Sequence, residues 1–285
     1  MTTRTSPTVR RRRLASLMRQ LREQARKSKD EAATHAGTAT RTITRIEAAE
    51  HNPSPSVIAM LATFYGLPPK QVDDLVTLCR QSRRKGWWHS YGSAIPTWFE
   101  VYVGLEEEVS EIRSYQPEVV FGLLQTEGYI RAMMLADVRV PSDNELEQRV
   151  TVRLKRQERL EGDDAAKLWV VLNEAVLHRQ VGGPDVMRKQ LRHLIAVSRR
   201  NNVVLQVLPF TAGAHPANDG AFNILGFPEP ADPAVVYLQT RLGSAFMEEP
   251  GDVAKYTEIF DHLRVEALSQ DDSRALITRV ADALS

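Results

Sequence analysis

The segment from Ser28 to Glu47 constrains this chain more than any other stretch of its sequence. Ser28 followed three residues later by Glu31 is a capping-box pattern, in which a hydroxyl and a carboxylate satisfy the first free N–H groups of a helix. The helix it opens carries Ala32, Ala33 and Ala36, and Gly37 breaks it. Thr38 then reads as the cap of a helix running from Ala39 to about Ala48, with Ala39, Ile43 and Ile46 on one face. The opposite face holds two i, i+4 pairs, Thr40 with Thr44 and Arg41 with Arg45.

Helical punctuation continues on both sides. Residues 10 to 27 place Leu14, Leu17, Met18, Leu21 and Ala25 on one stripe, with arginines and Lys27 elsewhere. Ser54 as cap and Pro55 at the first helical position open a fourth helix, with Ile58, Leu61, Ala62 and Tyr65 inward. Gly66 and Pro68-Pro69 end it and start a fifth, whose inward face is Val72, Leu75, Val76 and Cys79. Cys79 therefore reads as a small buried hydrophobe rather than a redox sensor. The Arg10–Arg13 run fits either a phosphate-binding arm or a solvated tail.

A basic stop at Arg83-Arg84-Lys85 and a loop-like stretch, residues 86–97, set a boundary between a first domain, 1–85, and a second, 98–285. In the second, residues 98–114, 123–136 and 142–161 read as helices. Leu168–Leu172 and Val203–Leu208 read as buried strands flanking a helix, Asp185–Arg200, introduced by Gly182-Gly183-Pro184. Ala221–Gly226 and Val235–Gln239 read as further strands. Two helices close the chain, 250–268 and 271–284, the last capped by Asp271 or Asp272. The expected fold is an all-α helix-turn-helix bundle followed by an α/β or α+β domain.

Charge separates the two parts. The chain's formal +1 combines seventeen Lys/Arg against seven Asp/Glu over residues 1–85 with twenty against 29 over the remaining residues. A head at +10 beside a body at −9 points the first third at a polyanion. No window approaches the roughly 18 apolar residues of a membrane span, and no apolar signal-peptide core follows the basic residues of Met1–Arg13. No membrane association and a cytoplasmic location are expected, consistent with a single cysteine.

A short bracing helix, a tight turn and a second helix with a polar basic face are the parts of a helix-turn-helix, whose second helix lies in the DNA major groove. Residues 10–80, and Ser28–Glu47 above all, resemble the Xre type, the lambda repressor and Cro class of DNA-binding domains. The resemblance implies that Thr40, Arg41, Thr44 and Arg45 face the groove, with Lys29 and Thr42 on phosphates and Thr38 at the helix start. Arg41 is the expected base reader, since a guanidinium grips guanine with two bonds. Lys29 stands where glutamine is usual, and Ala49-Glu50-His51 where a glycine often ends the helix.

The second part resembles a C-terminal domain of uncharacterised function found in actinobacterial regulators of antitoxin-like type. The matching stretches include Tyr102–Glu106, Gly122–Glu127, Arg153–Gln157, Asn173-Glu174-Ala175, Val207–Phe210, Gly213–His215 and Val235–Tyr237. Phe121 stands where that family usually carries proline, and Gln239 where an acidic residue is common. Gln125, Thr126, Glu174 and His215 sit in or beside apolar runs, where they either orient a ligand or satisfy backbone groups of their own domain. Glu106-Glu107-Glu108 reads as a solvated face.

Phosphate-loop, dinucleotide, nucleophile-elbow and zinc-protease motifs are absent from the sequence. The seven histidines show no metal-ligand pairing, and Glu174 with His178 reads as a structural hydrogen bond rather than a catalytic dyad. No enzymatic activity, cofactor or metal is expected. The expected protein is a dimeric, sequence-specific transcriptional regulator that binds double-stranded DNA at a palindrome through helix 39–48, its second domain supplying dimer contacts and a response to a small-molecule effector or a small partner protein. The alternative is an antitoxin-like protein that binds a small partner protein and autoregulates.

Overall fold

A computed structural model describes residues 7–229 and 232–284, so residues 1–6 of the segment read for a signal peptide lie outside it. The chain forms two compact units, divided between Ser90 and Tyr91. No described helix is long and apolar enough to cross a membrane.

The first unit is five helices: α1 (Pro7–Gln24), α2 (Lys29–His35), α3 (Thr40–Glu47), α4 (Pro55–Phe64) and α5 (Pro69–Ser82). The apolar stripes read from the sequence meet in one core, with Leu14, Met18, Ala32, Ile43, Ile58, Leu61 and Cys79 buried together, except that Ala39, expected on the face of Ile43 and Ile46, is exposed. α5 packs on α1 and α4, while α2 leans on α3 and α4. The Cys79 thiol lies 3.4 Å from the Pro53 carbonyl, and burial pushes its pKa up.

Helices α1 to α4 end alike. A residue in the left-handed region follows each C-cap, and its N–H and that of the next residue turn back onto the last carbonyls. Gly37 and Gly66 serve α2 and α4, but Arg26 (φ 52) and Ala49 (φ 57) serve α1 and α3. The helix end that lacked its usual glycine is therefore closed by Ala49 in a conformation that disfavours any Cβ.

Three local readings of this unit are corrected. Ala39, not Thr38, is the N-cap of α3, with no side-chain bond, and Thr38 N–H instead closes α2 by donating to Ala33. The Arg10–Arg13 run lies within α1, which begins before residue 10, and is partly buried rather than a solvated tail. Nor is the expected linker an open loop, because Trp87–Ala94 is 3-10 helical, bent at Gly92 (φ 48).

The second unit is α+β. Its elements are α6 (Thr97–Glu106), β1 (Glu111–Gln116), α7 (Glu127–Leu135), α8 (Asp143–Gln157), β2 (Lys167–Asn173), α9 (Ala175–His178), α10 (Pro184–Val197), β3 (Val203–Leu208), β4 (Phe222–Gly226), β5 (Val235–Gln239), β6 (Ser244–Met247), α11 (Pro250–Glu266) and α12 (Gln270–Ala283). One mixed sheet has the order β3-β2-β1-β4-β5-β6, parallel among β1 to β3 and antiparallel from β1 onward to β6.

Residues 98–114 are thus not one helix: α6 stops at Glu106, and residues 111–116 are the central strand β1. Its inner positions, Ser114 and Gln116, are polar, so no apolar run announces it. Ser114 pairs in register with Asn223, and Asn223 with Tyr237, setting a row of side chains across β1, β4 and β5. The row is satisfied internally: Ser114 donates to Asn223 Oδ1 (2.7 Å), Gln116 donates to Ser114 (2.8 Å), and Asn223 donates to the Tyr102 hydroxyl (3.4 Å). Strand β6 also escaped the sequence reading, and α12 is capped by Ser269, not by Asp271 or Asp272.

Candidate DNA interface and a basic cleft

Helix α3 sorts its residues cleanly. Ile43 and Ile46 are buried, while Thr40, Arg41, Thr44 and Arg45 are all exposed on the opposite side. The two threonine hydroxyls are engaged within the unit: Thr40 donates to Asp30 Oδ1 (2.5 Å) and Thr44 donates to the Thr40 carbonyl (3.2 Å). Arg45 sits 3.9 Å from Glu50, an exposed and weak pair. Arg41 has no hydrogen bond or ion pair with any described residue, which leaves its whole donor fork available. Thr42, at the edge of this face, is half-buried.

Behind this face lies a clamp that sequence reasoning missed. Arg22 of α1 binds both carboxylate oxygens of Glu47 at the end of α3 (2.6 and 3.1 Å) and donates to the Lys27 carbonyl (2.9 Å). The hydrogen bond that Arg22 donates to Glu47 outweighs burial and raises the Arg22 pKa. Lys29 Nζ stands 3.8 Å from the same carboxylate, so the lysine expected on phosphate also belongs to the joint that holds α3 in place.

The second unit holds a cleft of about 540 Å³ lined by residues of α6, α7, α8 and strands β1, β4 and β5. Arg149, Arg153 and Arg156 project from one face of α8 at i, i+4 and i+7 spacing, and all three line it. Arg156 is paired: it donates to Glu106 Oε2 (2.6 Å) and Oε1 (2.9 Å), with both side chains at most 5% exposed. Burial depresses the Arg156 guanidinium, but the Glu106 field and these bonds exceed that effect and raise its pKa. Glu106 therefore corrects the reading of Glu106-Glu107-Glu108 as a solvated face, and Glu108 is buried too. Burial, with the nearby Glu106 charge, pushes the Tyr102 hydroxyl well up.

Arg153 has no such acid. Its Nη1 donates to the amide oxygen of Gln125 (2.8 Å), and burial together with the Arg156 charge lowers its pKa to about 10. Arg149 has a buried Nε without a hydrogen-bond partner among the described residues. A Cβ on Gly122 would stand 3.3 Å from Arg153 Nη1 and 3.5 Å from Arg156 Nη2, so the bare glycine makes room for both guanidinium groups.

Of the four residues singled out for a ligand, Gln125 alone lines this cleft, and its amide also donates to the Val120 carbonyl (2.6 Å). Thr126 caps α7 and shares the buried Gln190 side-chain oxygen. Glu174 accepts the Phe210 N–H (2.8 Å) and meets His178 at 3.4 Å. His215 accepts the Ala217 N–H (3.2 Å) and touches the Tyr115 hydroxyl (3.2 Å). The structure does not bring the four together. Phe121 and Gln239, the two departures noted in the sequence, both line the cleft.

Comparison with known families agrees with this division. Residues 13–75 match a helix-turn-helix domain, which makes the first unit a DNA-binding module. Residues 99–279 match a domain of unknown function, DUF5753. The chain belongs to the DUF5753 family. No curated protein and no solved structure matches it. Within the DUF5753 region, the separate sequence stretches Tyr102–Glu106, Gly122–Gln125, Arg153–Gln157 and Val235–Tyr237 meet around the basic cleft, where Gln157 also donates to the Gln125 carbonyl (2.7 Å).

Proposed function

We propose that the chain is a sequence-specific transcriptional regulator of the Xre type, acting as a homodimer on a palindromic operator. The observation that carries this reading is the outer face of α3, where Arg41 and Arg45 stand exposed while Arg22, Lys29 and Glu47 hold the helix from behind. Arg41 reads bases, Arg45 and Lys29 contact phosphates, and the internally bonded threonines present methyl groups to thymine. The DUF5753 unit supplies dimer contacts and a response to an effector, and it carries out no catalysis.

Affinity of the full chain for duplex DNA, measured by fluorescence anisotropy across a salt series, tests the reading. Binding that falls steeply with salt supports it, because lysine and arginine release counterions from phosphates. A flat salt dependence contradicts it. A small protein that co-purifies stoichiometrically with the full chain favours the antitoxin-like reading instead.

A further inference from the structure

We propose that the DUF5753 cleft binds a small organic anion, whose carboxylate or phosphate sits on Arg153 and Arg149 and whose apolar body lies against Phe99, Phe121 and Tyr237. The site rests on a count of charges. Three guanidinium groups of α8 line one cleft, and both carboxylate oxygens of Glu106 accept from Arg156. Arg241 at the cleft is itself paired with Asp137. Glu145 lies one helical turn from Arg149 and feels its charge, yet the two form no ion pair. Arg153 and Arg149 thus bring to the cleft two guanidinium groups that form no ion pair with a described carboxylate, though Glu106 and Glu145 lie near enough to act on them.

A cation drawn partly out of water to serve the fold alone is normally paired, and Arg153 is half-buried. Here the partner of Arg153 is an amide. Gln125 fixes the guanidinium without quenching it, and Gln125 is itself fixed by Val120, Gln157 and the turn at Gly122. That is how a group is held ready for an incoming anion. Burial and the Arg156 charge lower the Arg153 pKa, and an oxyanion at Arg153 would favour its charged form. The cleft's volume falls within the roughly 300–1,000 Å³ typical of small-molecule sites. Gln116, Asn223 and Gln239 add uncharged polar groups for the rest of the molecule.

This deepens the reading of the second unit as a regulatory domain and rests on it for the consequence, though not for the binding. Isothermal titration calorimetry of the full chain, with phenyl phosphate, benzoate and the neutral benzamide as probes, tests it. One or both anions are expected to bind one per chain, with benzamide at least about tenfold weaker; the preferred anion separates phosphate from carboxylate. Arg153→Met should weaken the anion about tenfold or more without lowering the unliganded thermal midpoint, because it removes a half-buried charge that has no ion pair. Gln239→Glu, at an exposed strand end, should weaken it about three- to tenfold by placing a competing carboxylate at the cleft. Failure of both anions to bind, benzamide binding equally well, or unchanged affinity in both variants overturns the proposal. An anion that binds while leaving DNA affinity unaltered keeps the site and removes its regulatory role.

Discussion

The two candidate sites place their arginines differently. In the helical unit Arg22 is matched by Glu47 and Arg41 and Arg45 stand in water on the face of α3, while away from that face Arg11 of α1 is half-buried with an Nε that has no hydrogen-bond partner among the described residues. In the DUF5753 unit Arg156 is matched by Glu106, while Arg153 and Arg149, half-buried and without an ion pair to a described residue, line the cleft. An unpaired cation in water costs little and waits for a large polyanion; drawn partly out of water, it is favoured by a small anion beside it. At these two sites, whether the unpaired guanidinium groups face water or line a cleft distinguishes a DNA surface from a ligand pocket, which the net charge of either part does not do.

The two buried pairs allow the largest test of this contrast. Glu106→Gln leaves Arg156 deep in the second unit without its acid, and should cost about 3–5 kcal/mol in urea unfolding of the full chain. Glu47→Gln should cost less, about 1–3 kcal/mol, because Arg22 keeps the Lys27 carbonyl. Amide hydrogen exchange should localise each loss to its own unit. Equal losses would break the distinction between the two pairs.

On the DNA side, Arg41→Ala should lose about 1–3 kcal/mol of discrimination between the preferred and a scrambled operator, with no change in thermal midpoint. Lys29→Ala should weaken binding to both sequences alike. Anisotropy titrations of the two variants check this pair of outcomes, and identical behaviour would remove the division of roles.

Much of the helical unit was legible in the sequence because its signals are local. Ser28 with Glu31, Gly37, Ser54 with Pro55, and Gly66 act within one turn of the chain, and all are found at the helix ends where they were expected. The cleft was not legible in that way. Its charge balance joins Glu106 to Arg156 and Gln125 to Arg153 across dozens of residues, and no periodicity reports such pairs. The polar strand β1 hid for a related reason: Ser114 and Gln116 are tolerable inside the sheet only because Asn223 lies beside them. An earlier signal did exist, in the i, i+4, i+7 arginines of α8 beside the buried positions Leu146, Val150 and Val152.

Smaller effects refine the helical side. Ala49→Gly should stabilise the first unit by about 0.5–1 kcal/mol, since the left-handed conformation at φ 57 then carries no Cβ. Gly37→Ala (φ 61) should act in the opposite direction. The capping boxes should show in acid. Hydrogen bonds from the Ser28 and Ser142 backbone, and then from their side chains, hold Glu31 and Glu145 below the usual 4.5. Their contribution is complete above that value and lost as pH falls through the lowered folded pKa. Protection factors of the first turns of α2 and α8, with the pH dependence of intrinsic amide exchange divided out, should therefore fall on acidification, and Glu31→Gln should flatten the response in α2 alone.

Selection of bound DNA from a random pool by the full chain, repeated with Arg41→Ala, tests the central claim most directly. The account predicts an enriched palindrome from the native chain, with half-site centres about 34 Å apart, one helical turn, and loss of base preference at one position per half-site in the variant. A pool that stays random, or the same motif from both proteins, would contradict it.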